Sequence, residues 1–235
     1  MKAMIFSDLI TMRRSLVQLV GIMAAIACLL AFGMETLVPV AACVAVMIPV
    51  MYVFTAMAYD ELNGWEKFRL ALPLSRSNVV AGRYAGMLLV CAAALVLGLA
   101  LTLTIAGVAE ALSGGMGGNP KVAALLLANN PPQALLAAGM LGALTALVMG
   151  AVVLPLTMRF GMTKGARVMP LVLVFVAVVV MGVFGDALNG FAEALLHGDA
   201  GVSPVALGVG AVAAVLAVYA ASAALATRLY RTREL

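Results

Sequence analysis

Basic and acidic segments alternate between the long apolar stretches of this chain of 235 residues. Apart from Lys121, every one of its 14 lysines and arginines falls in one of four groups, at 2–14, 67–83, 159–167 and 228–233. The intervening gaps carry acidic residues, namely Glu35, Glu110, Asp186, Glu193 and Asp199. Basic residues on alternate loops are typical of polytopic membrane proteins and mark the loops that stay in the cytoplasm. We therefore expect a multi-pass protein of the cell's inner, cytoplasmic membrane, with both termini cytoplasmic.

Composition leaves no room for a large soluble domain. The chain is 65% hydrophobic and 10% charged, with a mean hydropathy of +1.16, whereas soluble domains carry about 25% charged residues. A spanning helix needs about 20 apolar residues, and the sequence predicts an all-α fold with six of them, at 16–33, 37–58, 84–108, 134–158, 168–187 and 204–227. They would form a single transmembrane domain over residues 1–235, with outer loops at 109–133 and 188–203.

Residues 1–15 precede the first predicted span and show helical periodicity. The apolar positions are Ile5, Leu9, Met12 and Leu16, and the opposing positions are Ser7, Asp8, Thr11 and Arg14. Lys2 and Arg13 interrupt the apolar face. This pattern favours a short amphipathic helix that lies in the cytoplasmic interface of the membrane, and a disordered tail is the alternative.

Residues that carry catalytic or metal chemistry are scarce. Cys28, Cys43 and Cys91 fall within predicted spans without metal-ligand spacing and are most simply small apolar residues. The single histidine, His197, lies in a solvated outer loop and is a poor anchor for a metal. There is no GxxxxGK[ST] phosphate loop, no nucleophile with a histidine base inside a span and no ionisable residue near the middle of one. We predict no catalytic residue and no metal site, which counts against an integral-membrane enzyme and a secondary carrier.

The net charge of +4 does not indicate a nucleic-acid partner. The basic residues are dispersed among loops at helix ends, where they bind anionic lipid headgroups and set orientation. Membrane lipid is therefore the expected partner of these charges.

The predicted inner loop 59–83 is the most unusual segment. Trp65, Phe68 and Leu72 stand at i, i+3 and i+7, which predicts a short helix with one apolar face, ended by Pro73. The charged residues Glu66, Lys67 and Arg69 lie elsewhere on that helix. The residues alone leave open whether it rests on lipid headgroups, where Trp is common, or docks a soluble partner. Ser75 can cap a following helix that runs into the third span.

Two segments resemble a known family. The runs 63–68, 72–76 and 83–84 resemble the first cytoplasmic loop of small ABC-2-type transporter permeases. The run 154–156, followed by 159–167, resembles the proline–phenylalanine–glycine–lysine segment between the fourth and fifth spans of that family. The amphipathic start and inward termini fit as well, so the resemblance covers the whole chain.

The resemblance implies the permease subunit of an ATP-binding cassette exporter. ATP and Mg²⁺ would bind a separate ATPase, so this chain is expected to hold no cofactor, and a second permease, a copy or a paralogue, would complete the transporter. The implied coupling helix contains Trp65, Glu66, Phe68, Arg69 and Leu72, and the second cytoplasmic loop contains Phe160, Gly161, Lys164 and Arg167. For Lys164 and Arg167, simple membrane anchoring and contact with the ATPase both remain open. The alternative from another class is a membrane scaffold or sensor subunit that docks a non-ATPase partner.

Overall fold

The computed structural model describes residues 8, 10–62, 76–113, 119–161 and 204–231. In this part of the chain all regular secondary structure is helical. In chain order the helices are α1 (Arg13–Met34), α2 (Val38–Leu62), α3 (Arg76–Ser113), α4 (Pro120–Ala124), α5 (Pro132–Phe160) and α6 (Pro204–Arg231).

Five of the described helices are long and apolar enough to cross a membrane. The qualifying segments are Arg13–Met34, Val38–Leu62, Ser77–Ser113, Pro132–Phe160 and Gly208–Tyr230. They contain or overlap the first four predicted spans and the sixth, so an all-helical transmembrane fold is confirmed for the described residues. The predicted span 168–187 and outer loop 188–203 lie outside them, and a total of six spans stays a prediction.

Helix boundaries differ from the predicted spans mainly at α3. With 38 residues, α3 is longer than the roughly 20 residues that cross the apolar part of a bilayer. It begins at Arg76, eight residues before the predicted span and directly after Ser75, the residue expected to cap a helix that runs into that span. The predicted outer loop 109–133 is also partly helical, since α4 forms within it. Asn119 caps α4, its side-chain oxygen accepting from the Lys121 N–H at 3.2 Å.

Contacts between Cα atoms group the chain into two compact units, residues 1–147 and 148–235. In the first unit, α2 packs against α1 and α3. Glycine allows close approach there: a Cβ atom added at Gly142 of α5 would lie 2.5 Å from the Ala42 carbonyl oxygen, and one at Gly98 of α3 would lie 3.2 Å from that of Ala41. Backbones approach this closely in membranes where small residues face each other.

Asn130 fixes the end of the first unit at which α1 ends and α2 begins. Its side-chain oxygen accepts from the Leu37 N–H at 3.0 Å and from the Thr36 hydroxyl at 3.1 Å. Its amide nitrogen donates to the carbonyl oxygens of Ala124 and Leu126, at 2.8 and 3.1 Å. The buried amide therefore satisfies an N–H group at the start of α2, which has no partner within the helix, and ties that turn to the segment before α5.

In the second unit, α6 supplies a hydrogen bond that α5 lacks. Pro155 lies inside α5 and has no N–H, so it cannot bond the carbonyl of Ala151 four residues earlier. The hydroxyl of Ser222 on α6 donates to that carbonyl oxygen. Neighbouring helices often satisfy backbone groups that proline leaves open in membranes, and here the contact joins α6 to α5.

We expect Ser222→Ala to destabilise the protein by about 0.6 to 2 kcal/mol, the usual range for hydrogen bonds between membrane helices. In a Pro155→Ala background the cost of Ser222→Ala should be smaller, because an alanine N–H can bond the Ala151 carbonyl within α5. Thermal unfolding in detergent, measured for both single variants and the double variant, gives this coupling directly. An equal loss of stability from Ser222→Ala in the two backgrounds would contradict the hydrogen bond assigned between Ser222 and the Ala151 carbonyl.

Candidate functional site

The loop between α2 and α3 attaches at what we call the basic end, where α1 begins, α2 ends and α3 begins. The structure describes α2 as far as Leu62 and α3 from Arg76. The predicted coupling residues Trp65, Glu66, Phe68, Arg69 and Leu72 therefore lie outside the described residues, as do Lys164 and Arg167 of the second loop. Their roles stay predictions. What the structure describes is the site to which the first loop is attached.

A buried ion cluster forms at the base of this loop. Arg83, on α3, directs Nη1 toward Asp8 Oδ2 at 3.2 Å, and its Nη2 donates to Asp60 Oδ2 near the end of α2. The exposed fractions of Arg83, Asp8 and Asp60 are only 2%, 6% and 7%. One guanidinium thus joins α3, the end of α2 and the segment that precedes α1.

Burial makes this cluster energetically sensitive. Removing a charge from water is costly unless an opposite charge and hydrogen bonds compensate, and breaking a buried pair by removing one partner typically costs about 3 to 5 kcal/mol. A guanidinium can contact two carboxylates at once through its planar set of donors, which a lysine ammonium does less well. Arginine is therefore the residue type that this position requires.

The N-terminal segment was expected to direct Asp8 away from its apolar face. In the structure Asp8 is buried together with Met12, because its carboxylate meets Arg83. The Met12 N–H donates to the Asp8 carbonyl at 3.0 Å, and the Leu16 N–H donates to that of Met12 at 2.8 Å. Helical bonding therefore runs from Asp8 into α1. Whether residues 1–15 lie in the membrane interface stays a prediction.

Packing beside the cluster is tight. Gly86 stands one turn after Arg83 on α3, and a Cβ atom added there would lie 2.6 Å from the Tyr52 hydroxyl oxygen. Tyr52 is buried on α2, eight residues before Asp60 and so on the same side of that helix. Glycine at position 86 allows the tyrosine to fit against α3.

The second loop begins with a glycine that ends α5. Gly161 has φ 77°, a conformation that glycine adopts at little cost and that commonly terminates helices, and its N–H donates to the Thr157 carbonyl at 2.9 Å. Phe160 before it is 48% exposed, with the Arg159 guanidinium 5.7 Å from its ring centre. Gly161 thus has a structural role, while Phe160 is accessible.

Among the described residues no group of three histidine, cysteine or acidic side chains is placed to hold a metal. The first unit does contain an apolar crevice between α1 and α3, with a volume of about 270 Å³. Cys28, Phe32, Leu101 and Ile105 line it, together with Val122 of α4. These walls suit a hydrocarbon chain rather than a polar ligand.

The sequence predicts the loop but not the cluster. Its pattern places Asp60 and Arg83 at the two ends of the predicted loop 59–83, and Asp8 on the polar side of the N-terminal helical pattern. The usable signal was that Asp60 and Arg83 each adjoin an apolar span, where an unpaired charge is costly.

The described helices and this buried ionic connection define a polytopic helical membrane protein. A family model described as ABC-2 family transporter protein matches residues 3–231. The chain therefore belongs to the ABC-2 transporter family, which confirms the resemblance seen in its two loop segments. No curated protein and no solved structure matches the chain. Membership assigns a membrane-transport role, and members of this permease family pair with an ABC ATPase subunit.

We expect Gly86→Ala to lower stability by about 1 to 3 kcal/mol, the usual cost of overpacking, because Tyr52 must move. The cost should shrink in a Tyr52→Phe background, which removes the clashing oxygen. Gly107→Ala is the matched control on the same helix, since an added Cβ meets no atom within 4 Å there. Thermal unfolding of the variants in detergent measures both effects, and a cost for Gly86→Ala that is the same in the wild-type and Tyr52→Phe backgrounds would contradict the packing argument.

Proposed function

We propose that this chain is the permease subunit of an ATP-driven exporter, powered by a separate ABC ATPase that docks on the loop 59–83. The match of residues 3–231 to the ABC-2 family carries the proposal. ATP and Mg²⁺ bind the ATPase in this proposal, in keeping with the absence of a GxxxxGK[ST] phosphate loop from the sequence.

The ATPase must bind on the cytoplasmic side, where ATP is available. We propose that the basic end of the helices faces the cytoplasm, that both termini lie there, and that the protein resides in the inner membrane. The distribution of lysine and arginine supports this orientation. A second permease, identical or paralogous, would complete the transport path, and membrane lipid would surround it.

The helix predicted around Trp65 and Phe68 suits an ATPase groove better than a lipid surface. A single exposed helix of fewer than about 12 residues is marginal by itself in water. A groove in the partner would order this helix and bury both aromatic side chains. Its position in the loop whose base is held by Asp60 and Arg83 would let it act directly on α2 and α3.

The crevice between α1 and α3 supports an apolar or amphipathic cargo. Its apolar walls could hold a hydrocarbon chain or an apolar side chain during transport. Predicted spans without central charges support the same class of cargo and offer no site for a small ion.

We expect Trp65→Ala combined with Phe68→Ala to abolish binding of the ATPase while the chain still folds and inserts. Central interface aromatics contribute about 2 kcal/mol or more each, and 2 kcal/mol corresponds to about 30-fold in affinity. The measurement is co-purification with the cognate ABC ATPase, followed by permease-dependent ATP hydrolysis. The control is Leu89→Ala with Leu103→Ala, two exposed positions of α3, which should bind normally.

Intact assembly and transport in the Trp65/Phe68 variant would overturn the docking role. Retention of the complex with a looser loop would favour a lipid anchor. If the wild-type permease binds a non-ATPase partner and no ATPase, the chain is instead a scaffold or sensor subunit.

The orientation is tested by labelling single cysteines placed at Ser77 and Gly117 in a variant without the three native cysteines. With a membrane-impermeant maleimide on intact cells, Gly117→Cys should react and Ser77→Cys should react only after the membrane is opened. This outcome follows from the placement of basic residues on the cytoplasmic side. Labelling of both positions from the same side would contradict the proposed topology.

A further inference from the structure

We propose that Arg83 is a positioning residue that links the loop between α2 and α3 to α1, so that displacement of the loop by the ATPase moves all three helices together. This inference rests on the proposed function and assigns the transmission step to the ion cluster of Asp8, Asp60 and Arg83. Arg83 touches neither ATP nor cargo in this role and acts through the helices that it joins.

The ion cluster lies at the base of the loop. Asp60 precedes the end of α2 by two residues, and Arg83 lies 23 residues further along the chain, two turns into α3. Their contact closes the base of the loop, so the end of α2 and the beginning of α3 are held together. A force on the loop is then applied to both helices as a unit.

Within α1, the buried residues lie from the middle of the helix onward: they are Met23, Ala27 and Ala31. At the basic end, Met12 is buried directly before the helix. Two polar links are described beside it: Asp8 reaches Arg83 at 3.2 Å, and the Ser15 and Tyr59 hydroxyl oxygens lie 3.2 Å apart. The basic end of α1 is therefore held by these side-chain links together with the packing of Met12.

At the basic end, α1 is not joined to the loop through the chain itself. The chain joins α1 to α2 through residues 35–37, at the opposite end of both helices. The contact between Arg83 and Asp8 is buried, so salt in the surrounding solution screens it little. It supplies a direct connection where chain continuity does not.

The test uses the full permease in complex with its ABC ATPase, in a variant without native cysteines. Spin labels at Val17 and Leu89 report the distance between α1 and α3 towards the basic end, and labels at Met51 and Leu88 report the distance between α2 and α3. All four positions are exposed. In the otherwise wild-type permease, ATP and Mg²⁺ should change the distance between α1 and α3.

We expect Asp8→Asn to retain the ATPase complex and the response of the α2–α3 pair but to lose the ATP-dependent change of the α1–α3 distance. The substitution removes the charge while keeping the size of the side chain. Asp8→Glu keeps a carboxylate and is the matched control, which should restore the response. If Asp8 only stabilised the fold, Asp8→Asn would not abolish the ATP-dependent change of the α1–α3 distance while leaving that of the α2–α3 distance intact.

An undiminished α1–α3 response in Asp8→Asn would overturn this inference but not the proposed function, because the wild-type complex would still respond to ATP. Should Asp8→Asn fail to assemble, Arg83→Lys keeps a buried cation with fewer planar contacts and should lower the same response; an unchanged response there would also overturn the inference. A wild-type permease that binds no ATPase would instead overturn the proposed function, and the inference with it.

Discussion

The pairing of one buried arginine with two carboxylates is the interaction on which the basic end of the first unit depends. Burying the Arg83 guanidinium is energetically unfavourable unless the carboxylates of Asp8 and Asp60 contact it. The three residues come from three separate parts of the chain: the segment before α1, the end of α2 and the beginning of α3. Neutralising the charge therefore requires that all three parts come together, which makes their assembly cooperative.

The same unit is held differently at its opposite end. Asn130 makes its contacts through a neutral amide, which bonds the turn at Thr36 and Leu37 and the carbonyl groups after α4. Between the two ends, small residues allow close packing at Gly98 and Gly142, which brings α3 and α5 against α2. The polar links of Arg83 and Asn130 thus lie at the two ends of the first unit and small residues lie between them, as expected where lipid cannot satisfy polar groups.

The sequence was sufficient for features governed by composition and local pattern. The apolar runs predicted the described spans, and the span predicted to begin at 134 lies within two residues of the beginning of α5 at Pro132. It was not sufficient for features that depend on which helices meet. Asp8 lies on the polar side of a helical pattern, and only the position of Arg83 explains its burial. The bond from Ser222 to Ala151 likewise needs α6 beside Pro155, and no local signal places it there.

The contrast between the two ends bears on how α1 can move in the proposed mechanism. Near Met34, α1 is fixed by the buried residues Ala27 and Ala31 and by the turn that Asn130 holds. At the other end it is held by the polar links of Asp8 and Ser15 and by the buried Met12. A helix of 22 residues is about 33 Å long at the usual rise of 1.5 Å per residue. Fixed near Met34, it would tilt by about 5° if its beginning moved by about 3 Å. The ion cluster thus acts on α1 at the end farthest from its fixed point, where a given force has the longest lever arm for tilting the helix.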